Sequence, residues 1–296
     1  MKKYVLFICV LFLIPVMALK AQSIQPFYQI ATFDQPIKAV QDQVTPLLTQ
    51  AGFTILGSYH PGNQDHLLVI AFTNPKISEL SLQFADRGAL ASVLKASIIE
   101  KDGKSTLSIL NPEYMFLAYW GKQLNGQEKE LTQLSNQVIA LFSKLGQPVA
   151  FGGKLDKDDL PGYHYKIMMP YFDDPDKLAT FDSFEEGLRI IKANLASKKG
   201  NTLKVYEQVF PEKKIAVFGV GLMDSETGEA HFLPIIGESH VSAMPYQIIL
   251  QGTKATALPG KYRLALYWPE LSMGTFMKII RTPRDIESTL ESVCEN

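Results

Sequence analysis

One stretch of this chain is written twice. Phe33-Asp34 opens a helical pattern that runs to Gly52, and Phe181-Asp182 opens another that runs to Gly200. The strands that follow begin at Phe53-Thr54-Ile55 and Asn201-Thr202-Leu203, so the spacing stays at 148 without a gap. Val40 matches Leu188 and Leu47 matches Leu195 at the same spacing, on the face each helix should bury. Further on, Asn111-Pro112-Glu113-Tyr114-Met115 finds an echo in Trp268-Pro269-Glu270-Leu271-Ser272-Met273, at an offset grown to 157. A chain built this way should fold as two tandem, similar modules.

The first residues read as a leader. Lys2 and Lys3 precede an almost unbroken apolar run over 4–19, and Ala21 stands before polar Gln22-Ser23. That is the pattern of a secretory signal peptide over 1–21, cut near Ala21. The alternative is a membrane anchor, for which the run is short of the roughly 20 residues a spanning helix needs. The mature protein should therefore be periplasmic or secreted. Losing the leader removes Lys2, Lys3 and Lys20 from 29 basic residues and nothing from 30 acidic ones. The balance is mildly negative with no cationic stripe, which argues against nucleic acid as a partner. Cys294 is then the one cysteine left; it can form no internal disulfide, and it reads as an incidental thiol at the chain end.

Periodicity places the elements. The pattern predicts a strand over 26–32, then a helix over 35–51 with Ile37, Val40, Val44, Leu47 and Leu48 on one face, Asp34 as its cap and Gly52 closing it. Strands over 53–59 and 67–72 follow. A hairpin pairs 94–100 with 105–110 around Asp102-Gly103. Asn111-Pro112 starts a helix, and Leu131, Leu134, Val138, Leu141 and Leu145 mark another. Glycine, proline and acidic residues over 147–162 read as the linker. The second module, 163–296, should repeat this order: a strand over 163–169, a helix from Phe184 towards Gly200, strands over 203–209 and 215–222, a hairpin of 246–251 with 262–267, and a closing helix over 283–293.

The first module, within 22–146, also resembles a known family. Leu67-Leu68-Val69-Ile70-Ala71-Phe72, Asn74-Pro75-Lys76, Asp86-Arg87-Gly88-Ala89-Leu90 and the hairpin ending in Asn111-Pro112-Glu113 form an ordered set similar to the domain of unknown function 302 family. The resemblance implies an α+β fold, an antiparallel sheet packed against helices, and no assigned activity. The second module departs from it: Trp268 stands where the Asn should precede proline, and Met223-Asp224-Ser225-Glu226-Thr227-Gly228 replaces the Pro-Lys step, a stretch that reads as a polar hairpin loop.

No sequence motif names a reaction. There is no Gly-x-Ser-x-Gly, His-Glu-x-x-His, Cys-x-x-Cys or P-loop, so no catalytic residue, cofactor or metal is expected. His60 and His66 flank one turn and could approach each other, though solvated histidines explain them as well. Asp156, Asp158 and Asp159 lack the glycine and distal glutamate of an EF-hand loop. The aromatic corners say more. Asn111, Glu113, Tyr119 and Trp120 around the first Pro-Glu step, and Trp268 and Glu270 around the second, are the candidate ligand-binding residues. Their competing roles are helix capping for Asn111, first-turn charge for the two glutamates and core packing for the rings. We expect a non-catalytic module of the envelope that binds a small molecule or a partner protein. The alternative is a hydrolase-like enzyme with its site in the cleft between modules.

Overall fold

The computed structural model describes residues 22–165 and 169–295. The leader expected over 1–21 lies outside them. The first module opens with β1 (Ser23–Ile24) and β2 (Phe27–Phe33), followed by α1 (Ile37–Gln50). Helix α1 buries Ile37, Val40, Val44 and Leu48, the face the spacing selects. Its N-terminus is set by Pro36, whose φ of −69° suits helix entry; the expected cap, Asp34, instead pairs with Lys104 at 3.3 Å. Gly52 takes φ +81° and ends the helix.

Strands β3 (Thr54–Tyr59) and β4 (Leu67–Thr73) come next. Every residue of β4 is buried, as its unbroken apolar run demands. Asn74 then caps α2 (Pro75–Ser81) by accepting from the Ile77 amide at 2.8 Å. A short helical turn, Gly88–Ser92, leads into the hairpin of β5 (Leu94–Lys101) and β6 (Lys104–Leu110). Asp102 and Gly103 both adopt positive φ in its tight turn. Helices α3 (Pro112–Trp120) and α4 (Glu128–Phe142) complete the module.

The connection is folded against the first module. Strand β7 (Val149–Phe151) pairs with β2, β8 (Leu155–Asp156) pairs with β1, and a helical turn, Lys157–Gly162, packs on α3. The second module then runs β9 (Asp176–Thr180), α5 (Phe184–Ala196), β10 (Thr202–Phe210), β11 (Ile215–Leu222) and α6 (Glu229–Ile236). A helical turn, Glu238–Ala243, precedes β12 (Tyr246–Gln251), β13 (Lys254–Ala257), α7 (Gly260–Tyr267), α8 (Met273–Lys278) and α9 (Thr282–Cys294).

The two antiparallel sheets share one topology. The first is ordered β3-β4-β5-β6-β2-β7 and the second β10-β11-β12-β13-β9, identical strand for strand apart from the added β7. The chain is thus two tandem, similar α+β modules. Helices α1 and α5 each cover one face of their own sheet. The modules meet across the other faces, where the turn Glu238–Ala243 packs on β4, β5 and β6, and the turn Gly88–Ser92 packs on β11 and β12.

Several expectations need correcting. Of the strand expected over 163–169, residues 166–168 lie outside the described set, and the flanking residues are not in a strand. The role belongs to β9, where only Leu178 is buried. So weak an apolar signal hides the strand from periodicity. The second hairpin closes with β13, not with 262–267, because Gly252 at φ +57° makes a tight turn directly after β12. Tyr262, Leu264 and Leu266 alternate as in a strand, yet they lie in α7, which is buried on most sides. The loop after Met223 leads into α6 rather than a second strand. Cys294 is not at a frayed end: it is buried at the end of α9, and burial pushes its thiol up to about 12, with Glu291 and Glu295 adding to the effect.

Candidate functional site

Helix α7 reads Gly-Lys-Tyr-Arg-Leu-Ala-Leu-Tyr, followed by Trp268 as its C-cap. At helical spacing, Lys261, Leu264, Ala265 and Trp268 share one face, while Tyr262, Arg263, Leu266 and Tyr267 share the other. The two faces meet different surroundings.

The inner face joins the modules. Tyr267 donates to the Tyr119 hydroxyl at 2.9 Å, and Tyr114 on α3 donates to the Leu266 carbonyl at 2.5 Å. Tyr267 follows Tyr119 by 148 residues, and Tyr262 and Trp268 follow Tyr114 and Trp120 by the same distance. The repeat register therefore never slips to 157. The counterpart of Asn111-Pro112 is Pro259-Gly260, and Trp268-Pro269 lies at the far end of the helix instead of at a strand-to-helix junction. Both tryptophans use their indole alike: Trp120 donates to the Gly88 carbonyl at 2.9 Å and Trp268 to the Gly237 carbonyl at 3.1 Å.

Around this junction lie buried charges. Arg263 donates to the carbonyls of Pro245 and Ala243 and stands over the Tyr246 ring at 4.3 Å. Glu229, at the start of α6, accepts from the Tyr59 hydroxyl at 3.0 Å and the Gly62 amide at 3.1 Å, tying the second module to the first. Burial pushes its carboxyl up to about 7, opposed by those bonds, by the Leu222 backbone and by Arg263. Burial, and then the Arg263 charge, hold the Lys95 ammonium well below the usual lysine range.

The outer face of α7 lines an apolar groove of about 60 Å³. Leu264, Trp268, Leu271 and Phe276 form its floor, Tyr165 and Met169 one wall, and Met273 a rim that is 53% exposed. Lys261 is the one charged residue of the lining; burial, Glu287 and Glu291 push the nearby Asp176 carboxyl up, and the Lys261 charge opposes them. Beneath the groove, His240 lies against Trp268 at 5.5 Å between ring centres. Its Nδ1 faces the Tyr267 carbonyl at 2.8 Å and its Nε2 the Glu270 carboxylate at 3.0 Å. Glu270 also accepts from the Gly153 amide at 2.8 Å. Partial burial opposes ionisation of Glu270, but the bond and charge from His240 outweigh it and hold the carboxyl below its ordinary range.

Of the candidate residues, then, Trp268 lines the groove and Glu270 braces it from beside His240. Tyr119 lies at the junction of modules. Trp120 is sealed in the first core, stacked on Phe84 and Phe116 at 4.7 and 4.2 Å. Asn111 caps α3 by accepting from the Glu113 amide at 3.1 Å, and it donates to the Gln25 carbonyl at 2.8 Å. Glu113 pairs with Lys157 at 2.6 Å. His60 and His66 turn to different partners, the Leu67 carbonyl and Glu238. Sequence reasoning missed Lys261, Leu264 and Phe276, because α7 reads as a strand and α8 shows no periodicity. The unslipped register from Trp120 to Trp268 was the signal that could have found them.

No protein-family model matches the chain, and no curated protein does. Among solved structures it is similar to the crystal structure of an uncharacterized conserved protein DUF302 from Bacillus stearothermophilus. That match has a TM-score of 0.34 and 12% identity, and covers 40% of this chain and 96% of that one.

Proposed function

We propose that this is an exported, non-catalytic binding protein, periplasmic or secreted, whose second module seats an apolar ligand in the groove along α7. One observation carries the reading: the groove is lined almost wholly by apolar side chains, with Trp268 at its base and the exposed Met273 at its mouth. Its volume, about 60 Å³, suits one apolar side chain or ring of a ligand rather than a whole drug-sized molecule, and Lys261 at its rim gives an entering molecule an orientation. An enzyme with its site between the modules is the rival, supported by the perturbed Lys95 and Glu229. Those groups and Arg263 are at most 2% exposed, so a substrate could reach them only by parting the modules.

The test uses anilinonaphthalene sulfonate, an apolar fluorophore with an acidic group. Folded protein should enhance its emission with single-site saturation and with energy transfer from tryptophan that falls in Trp268→Phe, where Trp120 alone remains. Met273→Asp removes apolar contact worth about 1.4 kcal/mol, a tenfold loss of affinity. Saturation that Met273→Asp leaves unchanged, or no enhancement by the native protein, overturns the reading.

A further inference from the structure

Helix α8 and the turn after it hold an apolar edge out into solvent. Met273 and Met277 lie one helical turn apart on α8 and are 53% and 58% exposed, and Ile280 just beyond the helix is 49% exposed. The segment is fixed from behind. Ile279 is buried, Phe276 packs on the core, and Ser272 caps α8 by accepting from the Thr275 amide at 3.1 Å. Among the described residues the other exposed large apolar side chains are Val149 and Tyr165, so the exposure is concentrated here and not scattered singly. Cations stand beside it. Over 271–284 the chain carries Lys278, Arg281 and Arg284 and no acid. Glu226, His231 and Asp285 share a recess with Lys278 and Arg281, yet no carboxylate among the described residues is within ion-pair distance of either cation.

We infer that this segment docks the protein on the surface of an anionic lipid bilayer. Met273, Met277 and Ile280 enter the boundary between headgroups and acyl chains, and Lys278 and Arg281 lie among the lipid phosphates. Area and charge together select this partner. Three half-exposed side chains fall far short of the roughly 800 Å² per partner that a stable protein interface buries. Membrane binding needs no matching shape and grows with the apolar area inserted and the cations beside it. Lysine and arginine suit that boundary, because their stems lie along apolar surface while their heads reach the phosphates. No helix among the described residues is long and apolar enough to cross a membrane, so the contact made by these residues is peripheral. The inference goes beyond the groove reading and stands apart from it, since Met277, Lys278, Ile280 and Arg281 are not part of the groove lining.

Co-sedimentation with lipid vesicles decides it. The exported protein is mixed with vesicles of equal parts phosphatidylglycerol and phosphatidylcholine, and separately with vesicles of phosphatidylcholine alone. The anionic vesicles should bind it about 25-fold more tightly, at about fivefold for each of two cations near the surface. Lys278→Glu combined with Arg281→Glu should erase that preference. Met277→Asp should weaken binding to the anionic vesicles about tenfold, the worth of inserting most of one such side chain, and should leave the urea midpoint unchanged. Equal binding to both kinds of vesicle, or binding that Met277→Asp does not weaken, overturns the inference. So does a dimer found by light scattering without lipid and split by Met277→Asp, which would make the patch an interface between two copies of the chain. Fluorophore binding in the groove is read separately, so the failure of either reading leaves the other standing.

Discussion

Glu229 makes the stability of this protein fall as pH rises through the weakly acidic range. Its carboxylate is fully buried between the modules, and burial raises it from 4.5 to about 7. At 1.36 kcal/mol per pH unit, that difference corresponds to about 3 kcal/mol. The raised value fixes the sign: the stability is fully present below pH 4.5 and is lost as pH rises to about 7, with no further change above that. Glu229→Gln keeps an oxygen for the Tyr59 hydroxyl but turns an amide towards the Gly62 N–H. That costs about 1–3 kcal/mol at every pH. Urea melts of both proteins from pH 4 to pH 9 isolate the effect, because other titrating groups cancel in the difference. The advantage of the native protein over the variant should shrink by about 3 kcal/mol across that window and invert if the amide costs less than this. Parallel curves would show that the carboxyl titrates normally and that the junction admits water.

Other parts of the structure are open to the same kind of measurement. Gly57 on the edge strand β3 faces the backbone of Val205 on β10 so closely that a Cβ would overlap the carbonyl oxygen; Gly57→Ala should cost about 1–3 kcal/mol in a denaturant melt. Cys294 should resist iodoacetamide at pH 8 in the native protein and react only with denaturant present, since burial keeps its thiol protonated. Asn111→Ala should cost about 1 kcal/mol for the lost helix cap, while Trp268→Ala, which empties a ring only 2% exposed, should cost about 3–5 kcal/mol. Equal effects of those two substitutions in urea melts would contradict the assignment of Asn111 to a cap and Trp268 to a buried floor.

The first module was largely legible in the sequence because its signals agree. The i, i+3, i+4 face of α1, the apolar run of β4 and the Asp102-Gly103 turn each point to one element, and the packing keeps all three. The second module was less legible where tertiary context overrides the local pattern. A strand that buries only Leu178 gives periodicity nothing to detect, and a helix buried on both faces loses the contrast that marks it as a helix. The repeat held the answer. Carried back from the helix by 148, β2 lands on β9; carried forward, Tyr119-Trp120 lands on Tyr267-Trp268. The Pro-Glu echo at 157 was the weaker match, because Trp268 caps the end of its helix and Asn111 caps the start. Trp268 could be singled out from the sequence, but its groove could not. Its lining comes from α7, the turn after it, α8 and the segment that carries Tyr165 and Met169, which meet only in the fold.

The groove along α7 as a site for an apolar ligand is tested most directly by a crystal structure of the intact protein with anilinonaphthalene sulfonate. The predicted result is density for the fluorophore against Phe276 and Met273. Fluorophore bound elsewhere, with the groove holding only ordered water, would contradict it.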